Sequence, residues 1–194
     1  MNSSQQEPRR LRQRVAVFVC LAAVAIGLDQ VSKALAQIVL GDGAVHPFLG
    51  SLVSLRLLRN PGASLGLGSG ATWVISLIAI GACLIIVALT LKTTSMAWTM
   101  VLSLAFSGAA GNLIDRVAYA DGFLNGKVVD FLDYGWSVGN VADIYLTVAG
   151  VVVVLLILAD VRFVSTGKTE KTLDFQEIEE GHGGRNSDQA PACS

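Results

Sequence analysis

Charge is scarce in this chain. Asp, Glu, Lys and Arg make up 15% of its 194 residues, against about 25% in soluble domains, so the composition leans towards a membrane protein. The net charge is −1, which offers no basic surface for nucleic acid, and none is expected as a partner. Cysteine is equally sparse. Cys20 and Cys83 lie in apolar runs and Cys193 at the far end, with neither metal-ligand spacing nor a disulfide framework. His46 and His182 stand alone, whereas a zinc site needs three or four convergent ligands. No metal or other cofactor is expected, and no internal repeat is evident.

What the chain has in abundance is hydrophobic length. Crossing about 30 Å of hydrocarbon takes roughly 20 residues of helix, and four stretches qualify: Val15 to about Leu40, 71–91, 96–114 and about 141–161. The first resembles a secretory signal in having a basic flank before an apolar core. No small-residue cleavage site with a soluble domain follows it, however, and three more spans do. Arg9, Arg10, Arg12 and Arg14 precede span one, which predicts a cytoplasmic N-terminus. Four crossings return the C-terminus to the same side. The expected organisation is a basic cytoplasmic segment (1–14), a four-span membrane domain (15–164) and a disordered cytoplasmic tail (165–194), which is polar and poor in large apolar groups. The loops 41–70 and 115–140 then lie outside.

The polar residues of the spans gather at one height. At about 1.5 Å rise per residue, Asp29 lies roughly 22 Å beyond Arg14, and Asn112 roughly 24 Å into span three. Asp115 and Arg116 end span three, and Asn140 and Asp143 begin span four. All fall in the outer third, whereas an ion or proton pathway distributes such groups through the thickness or at the midplane. Asp29 and Lys33 have the spacing of a helical ion pair, Asp115 has Arg116 as an adjacent partner, and NVAD (140–143) has the form of a capping box. Each admits a purely structural reading, while Asp42, Asp121 and Asp133 read as solvated loop residues. The coincidence of several costly groups at one depth favours a site.

Serine or cysteine catalysis would want a nearby base. His182 is in the tail and His46 lies alone in the first outer loop, where Ser69 of GLGSG could meet it only as a weak signal. Paired carboxylates remain, since two acids sharing a proton can activate water and protonate a leaving amine. The stretch VVDFLDYGWSVGNVAD (128–143) places three aspartates just before an uncharged span.

The segments DQVSK (29–33), RNPGASLG (59–66), GNLIDR (111–116), VVDF (128–131) and NVAD (140–143), in that order, resemble the bacterial lipoprotein signal peptidases, the type II signal peptidases, over about residues 15–162. The resemblance implies a membrane α-helical fold, four transmembrane helices with a small extracytoplasmic β-sheet platform, into which 45–58 would fit as strand. It implies an aspartic endopeptidase that cuts diacylglyceryl-modified prolipoproteins before the modified cysteine. Carried over, the catalytic pair falls on Asp130 and Asp143, with Asp29, Lys33, Asn60, Gly62, Asn112, Asp115, Arg116 and Asn140 orienting the site or substrate, and Asp115 the alternative catalytic acid. Asp143, on the first turn of a helix, is expected to favour its charged form. Asp130, between Val129 and Phe131, is expected to be the less solvated acid with the raised pKa. Implied partners are the lipidated precursors and membrane lipids, with the protein a monomer in the bacterial inner membrane and its active site at the outer face. Ser64, Leu65 and Gly139 depart from the family pattern. The rival readings are a polytopic transporter and a noncatalytic membrane scaffold.

Overall fold

The computed structural model describes residues 3–50, 52–62 and 69–164, with side chains from Arg10 onward except that of Ser69. The segment 63–68, which includes Ser64 and Leu65, and the tail 165–194, with His182 and Cys193, lie outside the described residues. The chain divides into two units, residues 1–163 and 164–194.

Among the described residues, four helices are long and apolar enough to cross a membrane. They are α1 (Ser3–Val39), α2 (Thr72–Lys92), α3 (Met96–Ala118) and α4 (Val141–Leu158). The basic N-terminal segment is itself helical and continuous with span one. Helix α3 packs against each of the other three and is the most enclosed. Its glycines allow this. A Cβ on Gly108 would come within 2.6 Å of the Ala142 carbonyl oxygen of α4, and one on Gly111 within 2.6 Å of Asp29 Oδ2 of α1. Small residues at helix contacts serve close approach in a bilayer, where no hydrophobic force draws helices together. Buried hydroxyls add directed bonds: Ser103 donates to the Phe18 carbonyl across α3 and α1 (2.9 Å).

A four-stranded antiparallel sheet caps one end of the bundle, in the order β1 (His46–Leu49), β2 (Val53–Asn60), β3 (Val128–Asp133) and β4 (Val138–Gly139). The stretch expected to form strand at 45–58 is a hairpin of two strands. Gly50 breaks it by taking φ +57°, a left-handed conformation that costs a glycine nothing. The register pairs Leu58 with Asp130 and Asn60 with Val128, and a bulge interrupts β2 between Leu55 and Leu58. Phe131 of β3 packs on Ala36 and Leu40 at the end of α1, with Leu55, Leu57 and Val141 around them, which seats the sheet on the bundle. Two hydroxyls of α2 tie loops to the same end: Thr72 donates to the Pro61 carbonyl (2.5 Å) and Ser76 to that of Leu124 (2.7 Å).

Candidate active site

Two connected polar networks occupy the junction of bundle and sheet. The first is a clamp around Lys33. Its ammonium lies 2.9 Å from Asp29 Oδ2 and 3.0 Å from Asp115 Oδ2, with all three side chains buried. It also donates to Asn112 Oδ1 at 3.1 Å. The i, i+4 pairing of Asp29 and Lys33 is thus present, but the expected pairing of Asp115 with Arg116 is not. Consecutive helical side chains point about 100° apart, so Asp115 turns to α1 while Arg116 donates to the Gly62 carbonyl at 2.9 Å. Each acid of the clamp also holds a backbone: Asp29 Oδ1 accepts from Ala142 N of α4 (2.9 Å), and Asp115 Oδ2 from Val129 N of β3 (3.0 Å).

Gln30 completes the clamp, and the sequence reading missed it. Its amide donates to Asp29 Oδ2 (3.1 Å), Asp115 Oδ1 (3.1 Å) and the Gly111 carbonyl (3.2 Å). The signal available was a neutral amide beside Asp29, within the stretch DQVSK.

The second network joins Asp130 and Asp143 through carboxamides. Asn140 Nδ2 donates to Asp130 Oδ1 (2.6 Å) and to Asn112 Oδ1 (3.0 Å), while Asn112 Nδ2 donates to Asp143 Oδ1 (2.9 Å). Asn60 Nδ2 reaches the other oxygen of Asp130 at 2.8 Å, and the Asn60 carbonyl oxygen of the side chain accepts from Gly62 N at 2.9 Å. The capping box read from NVAD is present, with Asp143 N donating to Asn140 Oδ1 (3.1 Å) and Asn140 N to Asp143 Oδ2 (3.0 Å). Every candidate residue named from sequence therefore converges on this junction, Asn60 and Gly62 from the end of β2, the rest from α1, α3, β3 and α4.

Burial pushes the Asp130 carboxyl from its ordinary value up to about 6. The amides of Asn60 and Asn140 and the Lys33 charge pull it down, and the nearby charge of Asp143 adds to the rise. This is the direction expected from the apolar neighbours of Asp130. The guanidinium of Arg116 lies within electrostatic range of both acids.

The remaining acids divide. Asp121 is exposed, as expected. Asp133, expected in a solvated loop, instead ends β3 and pairs with Arg56 Nε at 3.1 Å, its side chain only 14% exposed. Asp42 is exposed and accepts from Ala44 N (3.0 Å) and from His46 (3.0 Å), so His46 has a carboxylate partner on the surface. Among the described residues no group of three or more His, Cys, Asp and Glu side chains could hold a metal ion.

Residues 21–159 match the Signal peptidase (SPase) II family. The chain belongs to the signal peptidase II family. It is 64% identical over 149 residues to the lipoprotein signal peptidase of Bifidobacterium longum subsp. infantis, covering 77% of this chain and 82% of that one. The corresponding enzyme of Rhodococcus jostii is 37% identical over 157 residues, 80% of this chain and 79% of its own. A bacterial membrane enzyme solved by the in meso method at 2.3 Å resolution superimposes with a TM-score of 0.68 at 26% identity, over 80% of this chain and 95% of that one. Membership of the signal peptidase II family makes the chain a multi-pass membrane protease of a bacterial type. Its departure at Gly139 now has a position: a Cβ there would come 2.9 Å from Asp143 Oδ2 and 3.6 Å from the Tyr134 ring.

Proposed function

We propose that Asp130 and Asp143 are the catalytic carboxylates with which this protease removes the signal peptides of prolipoproteins, cutting before a diacylglyceryl-modified cysteine. The observation that supports this is the carboxamide bridge of Asn112 and Asn140, which joins the two acids while leaving each a different environment. Asp143 stands on the first turn of α4, where it closes the capping box with Asn140. Asp130 is the buried acid that holds a proton more readily.

In this reading Asp143 takes a proton from water as the water oxygen bonds to the scissile carbonyl carbon, and Asp130 gives its proton to the carbonyl oxygen. Collapse of the resulting diol returns one hydroxyl proton to Asp130 and breaks the C–N bond. The proton on Asp143 then passes to the departing amine, which restores both acids. Asn112, Asn140 and Asn60 keep the carboxylates oriented, Arg116 fixes the Gly62 turn, and the Lys33 clamp sets α1, α3, α4 and β3 around them.

Both termini lie in the cytoplasm and the acids at the outer face, because Arg10, Arg12 and Arg14 flank the other end of α1. The scissile bond of a lipid-anchored precursor is at that surface too. The lipid anchor, at about 0.8 kcal/mol per buried CH₂, confines the bond to the height of the pair and replaces a bimolecular encounter with a positioned one. Residues 15–164 form the catalytic unit, acting as a monomer among membrane lipids, with the polar tail outside it.

The test is cleavage of a purified lipidated precursor. Asp130→Asn and Asp143→Asn proteins should bind it and leave it uncut, whereas Asp115→Asn should lose chiefly stability, through its bonds to Lys33 and Val129. A precursor with serine in place of the acceptor cysteine should stay intact. Near-normal turnover by Asp130→Asn, with none from a folded Asp115→Asn, would reverse the assignment of the pair.

A further inference from the structure

The sheet carries a cleft of about 410 Å³, bounded by β2 and by the turn between β3 and β4. Its walls include Arg56, Leu58, Arg59 and Asn60 on one side and Asp133 and Trp136 on the other. The first wall ends at Asn60, whose amide holds Asp130 at 2.8 Å, and Leu58 stands directly across the strands from Asp130. The second wall ends at Val138, next to Gly139, where a Cβ would come 2.9 Å from Asp143 Oδ2. One end of the cleft therefore lies at the carboxylates, and its length runs out over the sheet.

If Asp130 and Asp143 cut a lipid-anchored precursor, as proposed above, only one part of the substrate can lie there. The acyl chains and the apolar signal segment remain in the bilayer, beside the helices. The polypeptide that follows the cysteine must leave the acids away from the spans, and this cleft is the path that adjoins both of them.

We infer that the cleft is a binding subsite for the first residues after the cleaved bond, and that it selects by charge. Two guanidinium groups, Arg56 and Arg59, and one carboxylate, Asp133, stand on its walls, whereas Asp130 and Asp143 are not among the lining residues. Arg56 is about half exposed and paired through Nε to Asp133 at 3.1 Å, which leaves its terminal nitrogens to face an incoming chain. Arg59 stacks on Tyr119 with its guanidinium carbon 4.5 Å from the ring centroid and donates to Gln37 Oε1 at 2.6 Å, which fixes its side chain at the end of α1. Trp136 is 75% exposed, with its ring 6.2 Å from that of Tyr134, an apolar surface over the cleft against which an extended backbone can lie. Neutral or acidic residues just after the cysteine should be accepted, and lysine or arginine there disfavoured.

The experiment uses the full-length protein in detergent micelles and lipidated precursors that differ only at the second and third positions after the bond, as Ser-Ser, Asp-Asp or Lys-Lys. In wild type, kcat/KM for Asp-Asp should exceed that for Lys-Lys by about tenfold at low salt, two exposed ion-pair contributions of about threefold each. High salt should shrink the ratio. Arg56→Gln removes one of the two cationic contributions and should bring the ratio down to about threefold, while Trp136→Ala should raise KM for all three precursors by a similar factor and leave the ratio intact. Equal kcat/KM for the three precursors in wild type, or an unchanged ratio in Arg56→Gln, would overturn the subsite. If wild type fails to cut even the Ser-Ser precursor, the proposed function itself falls, so the two failures are told apart by that one arm.

Discussion

Replacing Lys33 with methionine keeps the length and apolar character of the side chain but deletes its ammonium. That ammonium is the shared partner of Asp29 at 2.9 Å and Asp115 at 3.0 Å, and it also donates to Asn112. The lysine and both acids are almost fully buried, so neither carboxylate can turn to water for compensation. Breaking a buried ion pair by removing one member typically costs about 3–5 kcal/mol, because an unpaired charge remains in a medium that solvates it poorly. Gln30 still donates to both acids, which places the expected loss near the lower end, about 3 kcal/mol. For a chain of this size that is a fall in Tm of roughly 6–12 °C, read by thermal unfolding in a defined detergent. The double variant Lys33→Met with Asp115→Asn should recover part of the loss, since one of the two stranded charges is then gone. A drop of less than 2 °C (at most about 1 kcal/mol) for Lys33→Met, or a double variant less stable than the sum of the singles, would refute the clamp as an electrostatic unit.

Other outcomes follow from the same geometry. The raised pKa of Asp130, about 6, means that its proton is present below that value and lost above it. With Asp130 as the proton donor, kcat/KM should decline as pH rises through about 6, by up to tenfold per unit, and an Asp130→Glu protein that retains activity should show a displaced break. A flat profile between pH 5 and 8 would exclude Asp130 from that role. Gly108→Val should push α4 away from α3, because even a Cβ would meet the Ala142 carbonyl oxygen at 2.6 Å. We expect loss of both stability and turnover, of about 1–3 kcal/mol for overpacking a close contact, measured by unfolding and by precursor cleavage. Cysteines placed at positions 5 and 185 should resist a membrane-impermeant reagent in intact cells and react after lysis. Labelling from outside would invert the orientation and put the acids on the cytoplasmic side.

Much of this protein is determined by local sequence, since local sequence is where hydropathy and capping act. A span is recognisable because about 20 consecutive residues must each be tolerable in lipid, and the four apolar runs became α1 to α4 with shifts only at their ends. The pairing of Asp29 with Lys33 and the capping box of Asn140 and Asp143 were legible for the same reason, each closing within one helical turn. The convergence of the five short segments on one junction was read through resemblance, which carries tertiary information that the residues do not display alone.

Tertiary structure decided who partners whom across the chain. Asp115 takes Lys33 and Val129 in preference to its neighbour Arg116, because adjacent positions on a helix diverge and α1 presents a lysine where Asp115 points. Asp29 accepts from Ala142, 113 residues away, and Asn140 reaches Asp130 only once β3 and the start of α4 lie side by side. Asp133 looked solvated until β2 brought Arg56 beside it. Gln30 was invisible because an amide in a span declares no partner, and its three acceptors lie on α3 and on the preceding residue. Patterns of period 3.6 and 2 assign residues to faces; which buried charge meets which depends on how those faces are stacked, and packing alone settles that.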